Sequence, residues 1–152
     1  MELKIGSKIY NVEYNIEASL CNECIEKTIE FLLPIGSAEN RDAIKGFVST
    51  LSSIPDTTIT LLYAGLLAHH GEDGDGTVTS KADAKKLIKE YISENKDNEK
   101  GNYHYLIGAF IEQMENDGFF KLIGLEAMMK NMTAKPQKKA KAPKDHLKAI
   151  SE

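Results

Sequence analysis

From Ile59 to Ala68 the chain carries Ile59, Leu61, Leu62, Tyr63, Ala64, Leu66 and Leu67 with hardly a polar residue between them. Wound as a helix, these positions leave no polar side, and such a helix has to be surrounded by other elements. The segment is far short of the roughly 18 consecutive apolar residues that mark a membrane span, and no such run occurs elsewhere. It therefore predicts the central helix of a bundle. Pro55 fits its first turn, where the missing N–H costs nothing, with Ser53 or Asp56 near its start. Gly71 stops it.

The cover for that helix is legible on both sides. In residues 1–16, Leu3 and Ile5, then Tyr10, Val12, Tyr14 and Ile16, alternate with polar residues, a strand pattern. Gly6-Ser7 suits a two-residue hairpin turn with Gly first, which pairs Ile5 with Lys8 and Leu3 with Tyr10. A lone hairpin is marginal in water, so its apolar face must pack on helices. Leu20, Cys24, Ile25, Thr28, Ile29 and Leu32 predict a helix over 17–33, ended by Pro34 and Gly36. Ser37 is a fitting cap for a second helix holding Ala43, Ile44, Phe47, Val48 and Leu51.

After the central helix, Ser80 and Asp83 make a capping-box pattern ahead of Ala84, Leu87, Ile88, Tyr91 and Ile92. A polar loop over 94–102 leads to a helix with Leu106, Ile107, Phe110, Ile111 and Met114, and Gly118 fits its C-cap. The expected fold is mainly α (α+β). An N-terminal β-hairpin packs on a bundle of about five helices as one domain over residues 1–130, a usual domain size. Residues 131–152, poor in apolar residues and rich in Lys, are expected to form a disordered basic tail.

Charge is divided along the chain. Residues 1–129 hold 12 basic and 21 acidic side chains, a balance of −9, whereas 130–152 hold 7 Lys and 2 acids, a balance of +5. An acidic body with Arg41 as its one arginine is a poor match for phosphates, so nucleic acid is not an expected partner. Nor is a membrane. The start, Met1 to Ile5, lacks the basic and apolar blocks of a secretory signal, which leads us to expect a cytoplasmic protein.

Three patterns invite a chemical reading. Cys21-Asn22-Glu23-Cys24 is a C-x-x-C, but no second pair completes a zinc site, and neighbouring His69 and His70 point about 100° apart on a helix. Buried or half-buried small residues are the plainer account. Glu72 to Val78 looks like a calcium loop. With Gly76 at the sixth position and Val78 at the eighth, however, Gly71 and Ala82 occupy the two anchor positions that need carboxylates. A solvated turn is the better expectation. Lys135, Lys138, Lys139, Lys141, Lys144 and Lys148 form a basic extension without aromatics on which bases would stack. No nucleophile motif, phosphate loop, zinc-protease motif or dinucleotide turn occurs, so no enzyme activity, metal or cofactor is expected.

The order of features carries a resemblance. A hairpin, Glu2 to Tyr10, opens an acidic helical domain. Leu61-Leu62-Tyr63-Ala64-Gly65-Leu66-Leu67-Ala68-His69-His70 follows in the middle, then a polar loop and Thr79-Ser80, then Lys86-Leu87-Ile88-Lys89-Glu90-Tyr91-Ile92, and later Glu115-Asn116-Asp117-Gly118-Phe119-Phe120-Lys121. Over residues 1–125 the chain resembles the tail assembly chaperones of long-tailed bacteriophages and prophages. The resemblance implies a morphogenesis protein of the host cytoplasm that is not part of the virion. It would bind the tape measure protein and keep it soluble while tail tube protein assembles around it. Self-association is compatible with that role, and a bacterial helical adaptor or regulatory domain is the alternative.

For such a client the chain needs exposed apolar surface, and net charge to keep the complex soluble. The expected protein-binding residues are Phe119, Phe120, Leu122 and Met128, with Ile9 on the hairpin's outer face and Lys138 and Lys139 in the tail. Core packing is the competing role for the phenylalanines. The resemblance also implies a longer, frameshifted product, and Lys135-Pro136-Gln137-Lys138-Lys139 can be encoded by an A-rich slippery sequence. Sequencing the gene tests this, and the absence of a slippery site and an overlapping frame would remove the idea.

Overall fold

The computed structural model describes residues 1–32, 40–128 and 130–131. Glu2–Ile5 (β1) and Lys8–Asn11 (β2) pair antiparallel with Leu3 opposite Tyr10 and Ile5 opposite Lys8. This is the register the Gly6-Ser7 turn predicts, and Gly6 sits at φ +64°, where a side chain would be strained. Leu3 and Ile5 are buried while Ile9, on the other face, is half exposed. The turn is held down by Glu94, whose two carboxylate oxygens accept from the Gly6 N–H at 2.8 and 3.1 Å.

The helix expected over 17–33 is broken in two. Ile16–Ser19 (α1) is a single turn capped by the Asn15 side chain, and Asn22–Leu32 (α2) starts afresh. The Leu20 amide is shared between the Ile16 and Glu17 carbonyls, the Cys21 amide reaches back only three residues to Ala18, and the Cys21 carbonyl then opens α2 by accepting from Cys24 and Ile25. Such tight bonds close one helical turn without extending it. Ile16 and Leu20 consequently point to solvent, while Ala18, Cys24 and Thr28 face inward.

The two helices expected on either side of Pro55 are one. Asn40–His70 (α3) runs 31 residues, about 46 Å at the helical rise, with Pro55 inside it. An interior proline costs roughly 3 kcal/mol because the carbonyl four residues back, here Leu51, loses its donor. That carbonyl lies on an exposed turn. Around it Thr50, Ser52, Ser53 and Thr58 each donate a side-chain hydroxyl to a carbonyl three or four residues earlier. The buried residues of α3 lie in its second half, and the helix touches α1, α2, β2, α4 (Lys81–Glu94) and α5 (Tyr103–Asn116). The chain stops predicted at Pro34 and Gly36 and the cap at Ser37 lie outside the described residues.

Ser80 caps α4 through a bond from the Asp83 N–H, as expected, and Asp83 returns its carboxylate chiefly to the amide and hydroxyl of Thr79. Asn102 caps α5, and Gly118 follows it at φ +72°. Phe119–Leu122 (α6) spans the division between two compact units, Met1–Phe119 and a second beginning at Phe120. In the second, described as far as residue 131, Leu125 is buried and Leu122 and Met128 are exposed. The expected boundary at residue 130 thus falls inside this second unit, and the rest of the Lys-rich tail lies outside the described residues.

The first unit is closed by a three-residue strap, Val12 to Tyr14, laid across α3. The Glu13 N–H donates to the Gly65 carbonyl at 2.9 Å, and the Tyr14 hydroxyl donates to the Leu61 carbonyl at 2.8 Å. Gly65 permits the approach, because a Cβ there would lie 2.6 Å from Val12 Cγ1 and 3.0 Å from Tyr14 Cζ. Gly65→Ala should therefore destabilise the protein by about 1–3 kcal/mol through overpacking, despite alanine's better helix propensity. Gly46, in the same helix, has nothing within 4 Å of an added Cβ. Gly46→Ala should stabilise by roughly 0.5–1 kcal/mol. Urea unfolding of the two variants checks the pair, and equal effects would mean that the strap does not seat as described.

Candidate functional site

The expected binding residues separate on inspection. Phe119 is fully buried, its ring 5.8 Å from that of Tyr14, so it belongs to the core of the first unit and corrects the surface assignment. Its burial follows from Asp117, which ends α5, accepts the Tyr14 N–H at 2.9 Å and turns the next residues back under the strap. Phe120 is half-buried, Leu122 and Met128 are exposed, and Lys138 and Lys139 lie outside the described residues.

The C-x-x-C is placed where a thiolate is disfavoured. Cys24 is buried on α2, and burial first, then the neighbouring Cys21, pushes its thiol up to about 12. A redox-active pair needs a thiol pushed the other way. Beside it, Thr28 donates its hydroxyl to the Cys24 carbonyl and sits against Met114, as ordinary core residues do.

The acidic loop serves as the C-terminal cap of α3. Val78 and Asp75 donate their amides to the His70 and His69 carbonyls, filling acceptors that every helix end leaves over. His70 is buried, and its Nε2 accepts the Asn11 N–H at 2.9 Å, so Nδ1 carries the ring proton and donates to Asp75 Oδ2 at 2.9 Å. The other oxygen of Asp75 accepts both the amide and the hydroxyl of Thr77. Lys8 lies 3.4 Å away across the hairpin. This carboxylate is engaged in holding the loop, the helix end and β2 together.

The surface that stands out lies elsewhere. Ile44, Phe47, Val48 and Leu51 leave 69%, 65%, 55% and 51% of their surface exposed. Spaced by three and four residues, they form one stripe along the first half of α3. Between Ile44 and Ser53 the only charge is Lys45, the remaining positions being Gly46, Ser49, Thr50, Ser52 and Ser53. A clustered apolar stripe with an almost uncharged surround differs from the scattered exposed apolar residues of any surface. Periodicity alone assigns these residues to the core, because it shows that a face is apolar and not whether anything covers it. Burial then distinguishes the two halves of α3: Leu62 and Leu66 continue the same stripe and are fully buried.

Two outcomes check these placements. Phe119→Ala should cost about 3–5 kcal/mol, the usual effect of emptying a buried aromatic site, seen as an early unfolding midpoint. Asp75 is held below its ordinary value of 3.8, chiefly by the Thr77 hydroxyl and amide and then by His70. A depressed carboxylate contributes stability above its unfolded value and loses it as pH falls through the folded one. Asp75→Ala should thus lower stability at neutral pH, and the gap from the parent should narrow only on strong acidification. Unfolding measured over a pH series decides it, and a gap independent of pH would show that the charge of Asp75 is irrelevant.

Compared with protein-family models, with curated proteins and with solved structures, the chain shows no significant match.

Proposed function

We propose that this chain is a non-enzymatic binding protein that holds an amphipathic helical segment of another protein against the first half of α3. The specific role is that of a tail assembly chaperone, with the tape measure protein as client. The observation that carries the reading is the exposed stripe of Ile44, Phe47, Val48 and Leu51. A helix laid along it presents its own apolar positions at matching spacing, the usual way one amphipathic helix is recognised by another protein. The acidic balance of residues 1–129 supports the same role, since net charge keeps a complex with an aggregation-prone client dispersed. In this reading the protein works in the bacterial host's cytoplasm, stays out of the finished virion and releases its client as tail tube protein assembles.

The test is co-expression with the long helical client that this proposal places in the neighbouring gene. That protein should be soluble with the parent chain and insoluble without it. Phe47→Ser combined with Leu51→Ser should abolish the rescue. Because both side chains are more than half exposed, the double variant's own stability should change by no more than about 1 kcal/mol. A client that stays soluble with the double variant, or that never needs the chain, would sink the reading.

A further inference from the structure

The stripe does not end at Leu51. Pro55 and Ile59 continue it at spacings of four residues, and both line a groove between α3, α4 and the start of α5. The groove measures about 480 Å³, with Ile88 and Tyr103 adding to its apolar wall. From Ile44 to Ile59 is about 22 Å along the helix, room for roughly four turns of a partner helix.

Charge along this groove is opposite to that of the body. Lys81, Lys85 and Lys89 line it, spaced by four so that they share one side of α4. Asp83, Glu90 and Glu94 fall on the opposite side, where Glu94 holds the hairpin turn. Lys81 is already engaged, bonding Glu23 at 2.6 Å and Asp56 at 3.1 Å. Asp56, the one acid lining the groove, is further matched by Lys27 at 3.2 Å. Lys85 and Lys89 are exposed, and their side chains make no hydrogen bond or ion pair among the described residues.

We infer that the α3 stripe and the Lys85–Lys89 rim form one docking surface, and that its occupant is an amphipathic helix carrying Asp or Glu beside its apolar face. The inference rests on the proposed function and specifies the client's chemistry. The apolar stripe supplies contact, and the lysine rim sets the direction and charge of the partner. Elsewhere the acidic body repels such a helix, so an acidic partner is steered to this one side.

The probes are two labelled synthetic helices with the same apolar face, one flanked by Glu and one by Lys, titrated by fluorescence anisotropy at low and high salt. The parent should prefer the Glu-flanked peptide by about fivefold, as expected for two exposed ion pairs, and lose the preference at high salt. Lys85→Glu with Lys89→Glu should reverse the preference, while Phe47→Ser with Leu51→Ser should weaken both peptides. Equal binding of both peptides, unchanged by the charge reversal, overturns this inference and leaves the proposed function standing. Binding of neither peptide, with a dimer in light scattering that the Phe47 and Leu51 substitutions dissolve, overturns both, because the stripe would then serve self-association.

Discussion

Everything in the first unit depends on the strap from Val12 to Tyr14 reaching the backbone of α3. Tyr14 is fully buried, and burial first, then Cys24 and Asp117, keeps its phenol protonated well above the ordinary range, so the hydroxyl remains a donor to the Leu61 carbonyl. A carbonyl inside a helix has a second lone pair, which lets Leu61 and Gly65 accept from the strap without giving up their helical bonds. From the same residue, the Tyr14 amide reaches Asp117 at the end of α5, and the ring meets Phe119. One tyrosine thus joins the hairpin, the central helix and the last helix of the bundle. A bulky residue at position 65 would separate all three.

That closure reaches only the second half of α3, and the energetic consequence falls on the first. Fully burying a side chain such as Ile, Leu, Val or Phe stabilises by about 1.5–3 kcal/mol. Covering the half or more of Ile44, Phe47, Val48 and Leu51 that is exposed would therefore release roughly 4–7 kcal/mol at most. Association itself costs about 4–15 kcal/mol in lost freedom of motion. The stripe alone is then enough for a weak encounter and too little for a tight complex. In the proposed complex, added contact with Pro55, Ile59 and Tyr103 in the groove would shift this balance toward useful affinity, and reversible binding is what the proposed role requires.

The parts of this fold that sequence reveals are those decided locally. The register of Leu3 with Tyr10 follows from a two-residue turn, the start of α4 from the Ser80 hydroxyl, and the end of α5 from Gly118 at positive φ. Each involves residues a few positions apart. At Pro55, proline's local preference for a helix start is outweighed by the packing of the residues after it, and the helix runs through. Leu20 shares the helical spacing of Cys24 and Thr28 yet is exposed, because a break between two helices in the same apolar phase leaves no mark in periodicity. Phe119 and Leu122 read alike as a patch, yet one is core and the other exposed, since Asp117 and the distant Tyr14 decide which residue turns inward. The stripe at Ile44 to Leu51 is the extreme case: its pattern was plain, and its exposure depends on where the rest of the chain goes.

The segregation of charge on α4 ties the fold to the proposed surface. Glu94 must face the hairpin to accept the Gly6 amide, which fixes the rotation of α4 about its axis. With that rotation set, helical spacing directs Lys81, Lys85 and Lys89 to the groove beside Pro55 and Ile59. Lys81 then closes onto Glu23 and Asp56, linking α2, α3 and α4 at the groove's edge. Exposed ion pairs of this kind add little stability singly, so their effect is to position rather than to strengthen. They neutralise the groove's own acid and leave Lys85 and Lys89 to a partner. The polarity of the proposed surface is thus a by-product of how the hairpin is anchored, and a rotation of α4 that weakened one would turn the other away from the stripe.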